Sequence, residues 1–512
     1  MFEKARYFNR TLALAAGLIA VSTFNYGFDN QAFSTTQAMD SFTRQFGVVD
    51  ESTGKYALEP AWLSLFNSLN YIGFAAGVII GSMVSSRWGR RWCMFVMSCY
   101  ALVTATIAVT SNTKEQIMTA RILNYIYVGM ELAVVPIFHP CASPWTPSRH
   151  LSVFLGLRWL VINSICYGTS KLPDNRAWRI PLGMFYLVPS IVLSLIFFIP
   201  ESPRWLLYKN RVDEARVMLQ RLREGAFSDD EIENEFRELQ FALNQENEQG
   251  RFIEIFQRRN LKRTFIVVLV NFFQQATGQA FASQYGAVYV RSLGTFNPVL
   301  FSLMNAGIIV VITIAILFQA DRFGRRPLLM VSSIALTGVL MTMGGLGIEQ
   351  PVSEARKKGI VAMVSLLVIS FSIGWAPMTF VVATEVPALR LRDHSSRLGF
   401  GMNVLFNFLV NFSIQYLIYA PYAAWGSKVG FLFGSLAALA LVFTFFCVPE
   451  CKGKTLGQID LLFSSGVKLR DFGNIDAESM MDAETNHLGG GGKGAIVTTK
   501  ANHVEEGVQH DG

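Results

Sequence analysis

The sequence predicts an all-α membrane protein with twelve transmembrane helices arranged in two six-helix halves. Hydrophobic residues make up 51% of the 512-residue chain and charged residues only 16%, which is too little charge to cover a water-facing surface. Apolar runs of about 20 residues, the length that crosses a bilayer core, recur along the chain. Two short loop sequences also recur one half-molecule apart, and this repeat divides the chain into halves.

The apolar runs predict six spans before a polar gap and six after it. The first six lie near residues 11–31, 60–84, 92–110, 117–138, 151–169 and 181–199. The second six lie near residues 264–290, 297–319, 327–347, 360–383, 398–419 and 430–448. The first run contains Asn25, Asp29 and Asn30 and no small-residue cleavage site, so we interpret it as a span rather than a signal peptide.

Basic residues are distributed unevenly between the two sides of these spans. Most of the 44 Lys and Arg residues fall on the side that holds the N-terminus and the polar gap. Cytoplasmic loops carry the excess of Lys and Arg, so both termini are expected in the cytosol. Because these residues lie in short clusters between apolar runs, the net charge of +7 indicates a lipid bilayer as partner and no nucleic acid.

Four parts are expected along the chain. Residues 1–200 form the first bundle, 201–262 a cytoplasmic loop with short helices, 263–450 the second bundle, and 451–512 a largely flexible cytoplasmic tail. Within the loop, one apolar stripe at helical spacing predicts an amphipathic helix; it consists of Val212, Ala215, Leu219 and Leu222. Ser228 and Glu231 predict a capping box for the next helix.

The repeated loop sequences are basic and contain glycine. The loop after span two reads R-W-G-R-R from Arg87 to Arg91, and the loop after span eight reads D-R-F-G-R-R from Asp321 to Arg326. Span six ends in Pro200-Glu201 and span twelve in Pro449-Glu450. One such loop can be a plain positive anchor, but two duplicated features in register are hard to obtain by chance.

These motifs resemble the sugar porter family of the major facilitator superfamily, over a stretch from about Thr11 to Leu456. Three segments are most similar to its fungal hexose and disaccharide branch: G-F-D-N-Q-A-F from Gly27, P-E-S-P-R-W-L-L from Pro200 and Q-Q-A-T-G-Q from Gln274. The resemblance implies the major facilitator fold, in which two bundles rock about a central site. It also implies a cytoplasmic latch composed of Arg90, Arg91, Glu201, Arg204, Asp321, Arg325, Arg326, Glu385 and Glu450.

Asp29 in span one and Arg121 in span four are ionisable residues inside apolar segments. Charge is costly there and usually serves a function. The resemblance implies that these two residues pair, as in proton-coupled members, so protons are expected as a co-substrate. A static structural ion pair is the alternative.

The resemblance further implies a binding site for a small sugar-like molecule. Its residues are Gln274, Gln275, Gln279, Gln284 and Tyr285 in span seven, Trp375 and Phe380 in span ten, and Asn403 in span eleven. Amide groups can bind hydroxyls, and an aromatic face can stack on a sugar ring. Three positions depart from the family: Ala280 replaces an Asn, Gln284 replaces the first residue of a Tyr pair, and Phe380 replaces a Trp and so loses a donor.

The first half departs further from the family pattern. Ser86 stands where the family has Asp, and Cys141 stands where it has the Glu of the latch. Arg158 lies near the position of a sugar-binding Gln, inside an apolar helix, where lipid exposure would cost roughly 2.5–3.5 kcal/mol. It could snorkel, pair inward or bind an anionic substrate. A misread coding frame over residues 140–158 is a further interpretation.

The leading functional hypothesis is proton-coupled uptake of a sugar or polyol across the plasma membrane by a monomer that needs no cofactor. A non-transporting sugar sensor and a carrier of a non-sugar metabolite, anionic or secondary, are the alternatives. The sequence contains no phosphate-binding loop and no spaced metal ligands, so no enzymatic activity is expected. Symport and facilitated diffusion both remain compatible with these residues.

Overall fold

The computed structural model is almost entirely helical. It describes residues 10–49, 54–142, 148–224, 227–246, 250–349, 351–473 and 475. Helical segments coincide with all twelve predicted spans, which confirms the predicted fold class. Within the described residues, nine helices are long and apolar enough to cross a membrane. A short antiparallel pair of strands, Val48–Val49 and Tyr56–Ala57, lies in the loop between spans one and two.

The first half contains spans one to six. Their bounds are Arg10–Thr36, Pro60–Trp88, Arg90–Thr110, Lys114–Ala142, Ser148–Thr169 and Arg176–Phe198. Span six is composed of the α-helices Arg176–Gly183 and Leu187–Leu195 with 3₁₀ turns after each. A short helix, Asp40–Phe46, follows span one.

The second half contains spans seven to twelve, and two of these spans are broken. Span seven consists of Arg258–Ala276, Gln279–Gln284 and Gly286–Leu293, and span ten of Glu354–Ile373 and Trp375–Glu385. The others are Pro298–Phe323, Arg325–Leu346, Arg392–Ile418 and Val429–Cys447. Span seven breaks at Gly278, whose φ of 83° is left-handed and favours glycine. Interrupted helices at membrane depth are tolerated where they line a cavity, so these breaks point to a site.

The segment between the halves forms short helices, Pro203–Tyr208, Val212–Arg223 and Asp229–Glu246, followed by a 3₁₀ helix, Phe252–Phe256. The predicted stripe is buried at Ala215, Leu219 and Leu222, whereas Val212 is exposed. The predicted capping box is present, because Ser228 N–H donates to the Glu231 carboxylate (2.9 Å) and Glu231 N–H donates back to the Ser228 hydroxyl (3.4 Å). The tail begins with the helix Leu456–Ser464.

Glycines allow spans two and four to pack at backbone distance. Gly73, Gly77 and Gly81 lie at four-residue spacing on span two and face span four, which contributes Gly129 to the same contact. A Cβ atom at Gly77 would lie 2.1 Å from the Ile126 carbonyl oxygen. Close approach of small residues is a main source of helix association in membranes, because lipid gives no hydrophobic drive.

Gly77→Ala is therefore expected to destabilise the first half. The added methyl group must push spans two and four apart, at about 1–3 kcal/mol, which should lower the apparent Tm of the detergent-purified protein. Gly168→Ala is the matched control, since no atom lies within 4 Å of a Cβ atom built there. Equal Tm values for the two variants would contradict this account of the packing.

Candidate functional site

A cavity lies between the two halves, bounded by span five on one side and by spans seven, eight and ten on the other. This main cavity has a volume of about 280 Å³. Its polar lining comes from Arg158, Trp159, Gln279, Ser283, Thr313 and Ser372, and the remaining lining is mostly aliphatic. A smaller side cavity shares Trp159 and Ser283 and adds Asn163 and Asn305. An apolar cleft with a few convergent polar groups is the usual form of a small-molecule site.

Three of the predicted amide residues meet next to the break in span seven. The Asn403 amide donates to Gln274 Oε1 (2.5 Å), and its Oδ1 accepts from the Gln275 amide (3.1 Å). The same Asn403 amide lies 3.1 Å from Asn271 Oδ1. Gln275 Oε1 is buried and has no hydrogen-bond partner among the described residues. We call the side chains of Asn271, Gln274, Gln275 and Asn403 the amide network; it leaves one buried acceptor, Gln275 Oε1, without a hydrogen bond to any described residue.

The remaining predicted residues of span seven divide between the cavity and the helix contacts. Gln279 lines the main cavity, where its amide donates to the Ser283 hydroxyl (3.0 Å). Gln284 is buried and contributes its carbonyl oxygen to a contact with Ser34 of the first half (2.9 Å). Tyr285 is almost fully buried, and its hydroxyl donates to the carbonyl oxygen of Asn411 (2.8 Å). Tyr285 therefore packs against span eleven and does not line the cavity.

The aromatic residues predicted in span ten do not line either cavity. Trp375 is completely buried, and its indole N–H donates to the Ser333 hydroxyl (2.9 Å). Phe380 is 48% exposed, although Ala376 and Pro377, one turn earlier, do face the main cavity. A stacking role for Trp375 or Phe380 stays a prediction, and for Trp375 it would require its contact with span nine to break.

Asp29 and Arg121 lie together inside the first half. Arg121 Nη1 is 3.3 Å from Asp29 Oδ1, and both side chains are about 5% exposed or less. The guanidinium carbon lies 3.8 Å from the ring centroid of Phe33 and 5.1 Å from that of Tyr125. Asp29 Oδ2 has no hydrogen-bond partner among the described residues. The carboxyl group is thus paired with Arg121 through one oxygen, and the Asn124 side chain lies close to it.

Sequence reasoning missed a second buried carboxylate in span four. Glu131 is 2% exposed and accepts a hydrogen bond from the Ser22 hydroxyl of span one (2.9 Å). It lies within electrostatic range of Arg158 in span five and of Tyr127, whose hydroxyl accepts from Asn25 (3.2 Å). The sequence does contain a signal for Glu131. An acidic residue within an apolar span is energetically costly, and this applies to Glu131 as it does to Asp29.

The Gly-Arg-Arg loop of the first half is organised by Glu201. Its carboxylate accepts hydrogen bonds from the backbone N–H groups of Arg90 (2.9 Å) and Arg91 (3.1 Å), at the start of span three. Gly89 has a φ of 97°, and a Cβ atom there would lie 2.5 Å from the same carboxylate. A negative charge at a helix N-terminus is favourable, because the free N–H groups and the helix dipole point toward it.

The loop of the second half repeats this geometry. Glu450 accepts hydrogen bonds from the backbone N–H groups of Arg325 (3.1 Å) and Arg326 (3.0 Å), at the start of span nine. A Cβ atom at Gly324 would lie 2.6 Å from Glu450. The Arg325 side chain adds an ion pair with Glu385 (2.9 Å). The duplicated motifs therefore cap one helix in each half.

The residues of the predicted latch contact backbone groups as well as side chains. Glu201 and Glu450 bind backbone N–H groups, and the contacts shown above join elements of the same half. Arg326 donates to the Phe445 carbonyl oxygen (2.6 Å), and Arg204 lies in the helix Pro203–Tyr208. The side chains of Asp321 and Cys141 lie outside the described residues, so their predicted roles stay predictions.

Hydrogen bonds that join the two halves cluster at the end of the bundle where span one ends, here called the distal end. The Arg291 guanidinium of span seven donates to the carbonyl oxygens of Ala38 (3.1 Å) and Tyr56 (3.4 Å) and pairs with Asp40 (2.8 Å). We call this arrangement the distal clamp. The Ser34 hydroxyl adds a contact to the Ser283 carbonyl oxygen (2.9 Å).

Twelve spans in two halves, with broken helices and a polar-lined cavity between them, define a secondary transporter of the major facilitator type. The family described as "Sugar (and other) transporter" matches residues 15–463. The chain therefore belongs to the sugar transporter family and is a multi-pass membrane protein. The members of this family are described as transporters.

Similar proteins cover nearly the whole chain. It is 25% identical to the MFS transporter fmqE of Aspergillus fumigatus, over 91% of this chain and 88% of that protein. It is also 25% identical to the low-affinity glucose transporter HXT3 of Saccharomyces cerevisiae, over 89% of this chain and 83% of that protein. The inward-open xylose transporter XylE from E. coli superposes with a TM-score of 0.69 at 20% identity, covering 87% of this chain and 98% of XylE. The XylE comparison confirms the fold.

Proposed function

We propose that this protein carries a sugar or a related polyol across the plasma membrane by alternating access, driven by protons. The amide network carries the proposal. Gln274, Gln275 and Asn403 place amide donors and acceptors in the membrane interior, at the break of span seven. Hydroxyl groups require such partners when they leave water, because unpaired polar groups in a buried site are costly. The names of HXT3, a glucose transporter, and XylE, a xylose transporter, support the same substrate class.

The Asp29–Arg121 pair is proposed to couple transport to protons. When Asp29 is ionised, it attracts Arg121, whose Nη1 lies 3.3 Å from Asp29 Oδ1, and this attraction holds span one against span four. When Asp29 is protonated, the attraction is lost, whereas the contacts of the guanidinium with aromatic rings such as Phe33 remain. The two protonation states therefore favour different arrangements of the first half, which is what coupling requires.

The proposed orientation places both termini and the Gly-Arg-Arg loops in the cytoplasm, in accordance with the distribution of basic residues. The distal clamp then lies on the extracellular side. Import follows when the site loads from that side and releases toward the cytoplasm, and we propose that a monomer carries out the whole cycle.

Uptake of labelled hexoses and disaccharides in a transporter-null yeast, with and without a protonophore, tests the proposal. We expect accumulation of at least one sugar above its external concentration, and collapse of that accumulation to equilibrium when the protonophore is added. Uptake that is indifferent to the protonophore would contradict coupling while leaving sugar transport intact. Cells carrying the empty vector provide the background.

A further inference from the structure

Spans one and four meet along a row of polar contacts inside the first half. Three contacts cross between the two helices, one at each turn of span one, and they are Asp29–Arg121 (3.3 Å), Asn25–Tyr127 (3.2 Å) and Ser22–Glu131 (2.9 Å). We call this row the polar seam. Polar pairs alone can hold two spans together, but this seam has a carboxylate at each end. An ionisable group within a span is costly and usually serves a function.

The polar seam is oriented along the direction of transport. Ser22, the partner of Glu131, lies seven residues before Asp29 on span one, which corresponds to about 10 Å along a helix axis. Asp29 is nearer to the distal end, where span one ends at Thr36. Glu131 is therefore nearer to the opposite end, which carries the Gly-Arg-Arg loops and is here called the loop end. The two carboxylates thus lie at different depths of the membrane.

Glu131 can bind a proton without losing its contact with span one. The side chain is buried, its Oε1 accepts from the Ser22 hydroxyl, and its Oε2 has no hydrogen-bond partner among the described residues. A proton on Oε2 leaves Oε1 able to accept as before. The titratable and charged groups that face it among the described residues are Arg158 of span five and Tyr127, one turn earlier on span four. Binding of a proton therefore changes the charge at this point but not the helix contact.

Span eleven of the second half covers the part of span four that contains Glu131. Phe400 and Val404 pack against an apolar cluster that includes Met130 and Val134, on either side of Glu131. In alternating access the two halves separate at the loop end, and this separation withdraws span eleven from the cluster. The route from water at the loop end to Glu131 then becomes shorter, while the distal clamp closes the other end of the bundle.

We propose that Glu131 is the inner proton-binding residue of the coupling mechanism. It receives the proton that Asp29 gives up and releases that proton at the loop end. In the transfer the Asp29 carboxyl becomes a carboxylate and the Glu131 carboxylate becomes a carboxyl, so one proton moves and the total charge of the seam is unchanged. The Tyr127 hydroxyl lies between them and can accept one proton while it donates its own. The inference rests on the proposed proton-coupled transport and adds an exit site to it.

The dependence of uptake on the pH inside sealed vesicles tests this assignment. Right-side-out plasma-membrane vesicles from a transporter-null yeast that expresses the full-length protein are loaded with buffers of different pH, and the outer pH is kept constant. Initial uptake is measured for a labelled hexose that the cells accumulate. For the unmodified protein we expect uptake to rise roughly tenfold as the inner pH is raised, because the exit site must lose its proton to the inside before the carrier returns.

Glu131→Gln should remove this response. The glutamine carbonyl oxygen can still accept from the Ser22 hydroxyl, but the side chain cannot bind and release a proton. We expect uptake by this variant to be slower and to change less than about twofold with the inner pH. Its response to the outer pH and its exchange of labelled for unlabelled substrate should persist. A residue with a merely structural role would lower uptake at every inner pH by the same factor.

Two further variants provide the controls. Glu115→Gln is the matched control, because Glu115 is an exposed carboxylate at the distal end of the same span, and its response to the inner pH should equal that of the unmodified protein. Glu131→Asp retains a carboxylate on a shorter side chain, which changes its contact with Ser22. We expect this variant to keep the response to the inner pH, with a displaced midpoint.

The outcomes separate this inference from the proposed function. An unchanged response to the inner pH in folded Glu131→Gln protein would overturn the inference and leave coupling through Asp29 standing. Absence of this response in the unmodified protein would overturn it as well. If Glu131→Gln does not fold, a midpoint in Glu131→Asp equal to that of the unmodified protein overturns the inference. Absence of uptake of every hexose by the unmodified protein would overturn the proposed function itself.

Discussion

Asp29→Asn is expected to abolish concentrative uptake while leaving exchange of substrate across the membrane measurable. Asparagine has nearly the same shape as aspartic acid but cannot release a proton, so the first half is held in one electrostatic state. In proteoliposomes with an imposed gradient of about one pH unit, one coupled proton supplies about 1.4 kcal/mol, or roughly a tenfold accumulation. The variant should lose this factor entirely, as measured by the steady ratio of internal to external labelled substrate.

Asp174→Asn is the control for this experiment, since Asp174 is an exposed carboxylate in a loop of the same half. Removal of Asp29 also leaves Arg121 as a buried charge without its counter-ion, which is destabilising in general. The double variant Asp29→Asn with Arg121→Gln removes both charges and should show the same loss of accumulation. If folded Asp29→Asn protein still concentrates substrate as the unmodified protein does, Asp29 is not the coupling group.

Asn403→Ala should give the largest loss of apparent affinity among single substitutions in the amide network. The Asn403 side chain contacts Asn271, Gln274 and Gln275 at 2.5–3.1 Å, so its removal leaves each of these three amides short of a partner. Each unsatisfied buried group costs about 1–3 kcal/mol. When this energetic cost falls on substrate binding, we expect KM to rise roughly tenfold to a hundredfold.

The KM is measured from the concentration dependence of initial uptake. Asn407→Ala, one turn further along span eleven, provides the matched control because the Asn407 side chain bonds to Asn411 of its own helix and lies outside the amide network. We expect its KM to change less than threefold. Equal effects of the two substitutions would indicate that span eleven, rather than the network, determines affinity.

The fold was predictable because its signals are additive along the chain. Apolar length, basic loops and the repeated glycine turns each act over many residues, and the helices occupy the predicted positions. The roles of Glu201 and Glu450 were harder to anticipate. Their partners are backbone N–H groups of helices distant in sequence, and a backbone donor has no signature in the amino-acid sequence.

The candidate site was predictable in composition but not in orientation. Gln274, Gln275 and Asn403 were expected as individual binding residues, and the structure brings them into one network. Tyr285 and Phe380 were placed by resemblance alone, and they point away from the cavities. Spans seven and ten are interrupted at Gly278 and Gly374, so a regular helical register does not carry across the break to either residue, and their predicted roles stay predictions.

The distal clamp stabilises the conformation in which the two halves are closed at the distal end. The Asp40 side chain is 88% exposed, so its attraction to Arg291 is screened and contributes little. Of the two carbonyl contacts of the same guanidinium, that with Ala38 is a charge-assisted hydrogen bond, worth about 1.5–3 kcal/mol when well formed, whereas that with Tyr56 is long and exposed. In the proposed orientation they weight the empty carrier toward the state closed to the outside by roughly tenfold or more. Opening toward the outside must break these contacts, so in the proposed import cycle substrate loads only after the distal clamp has separated.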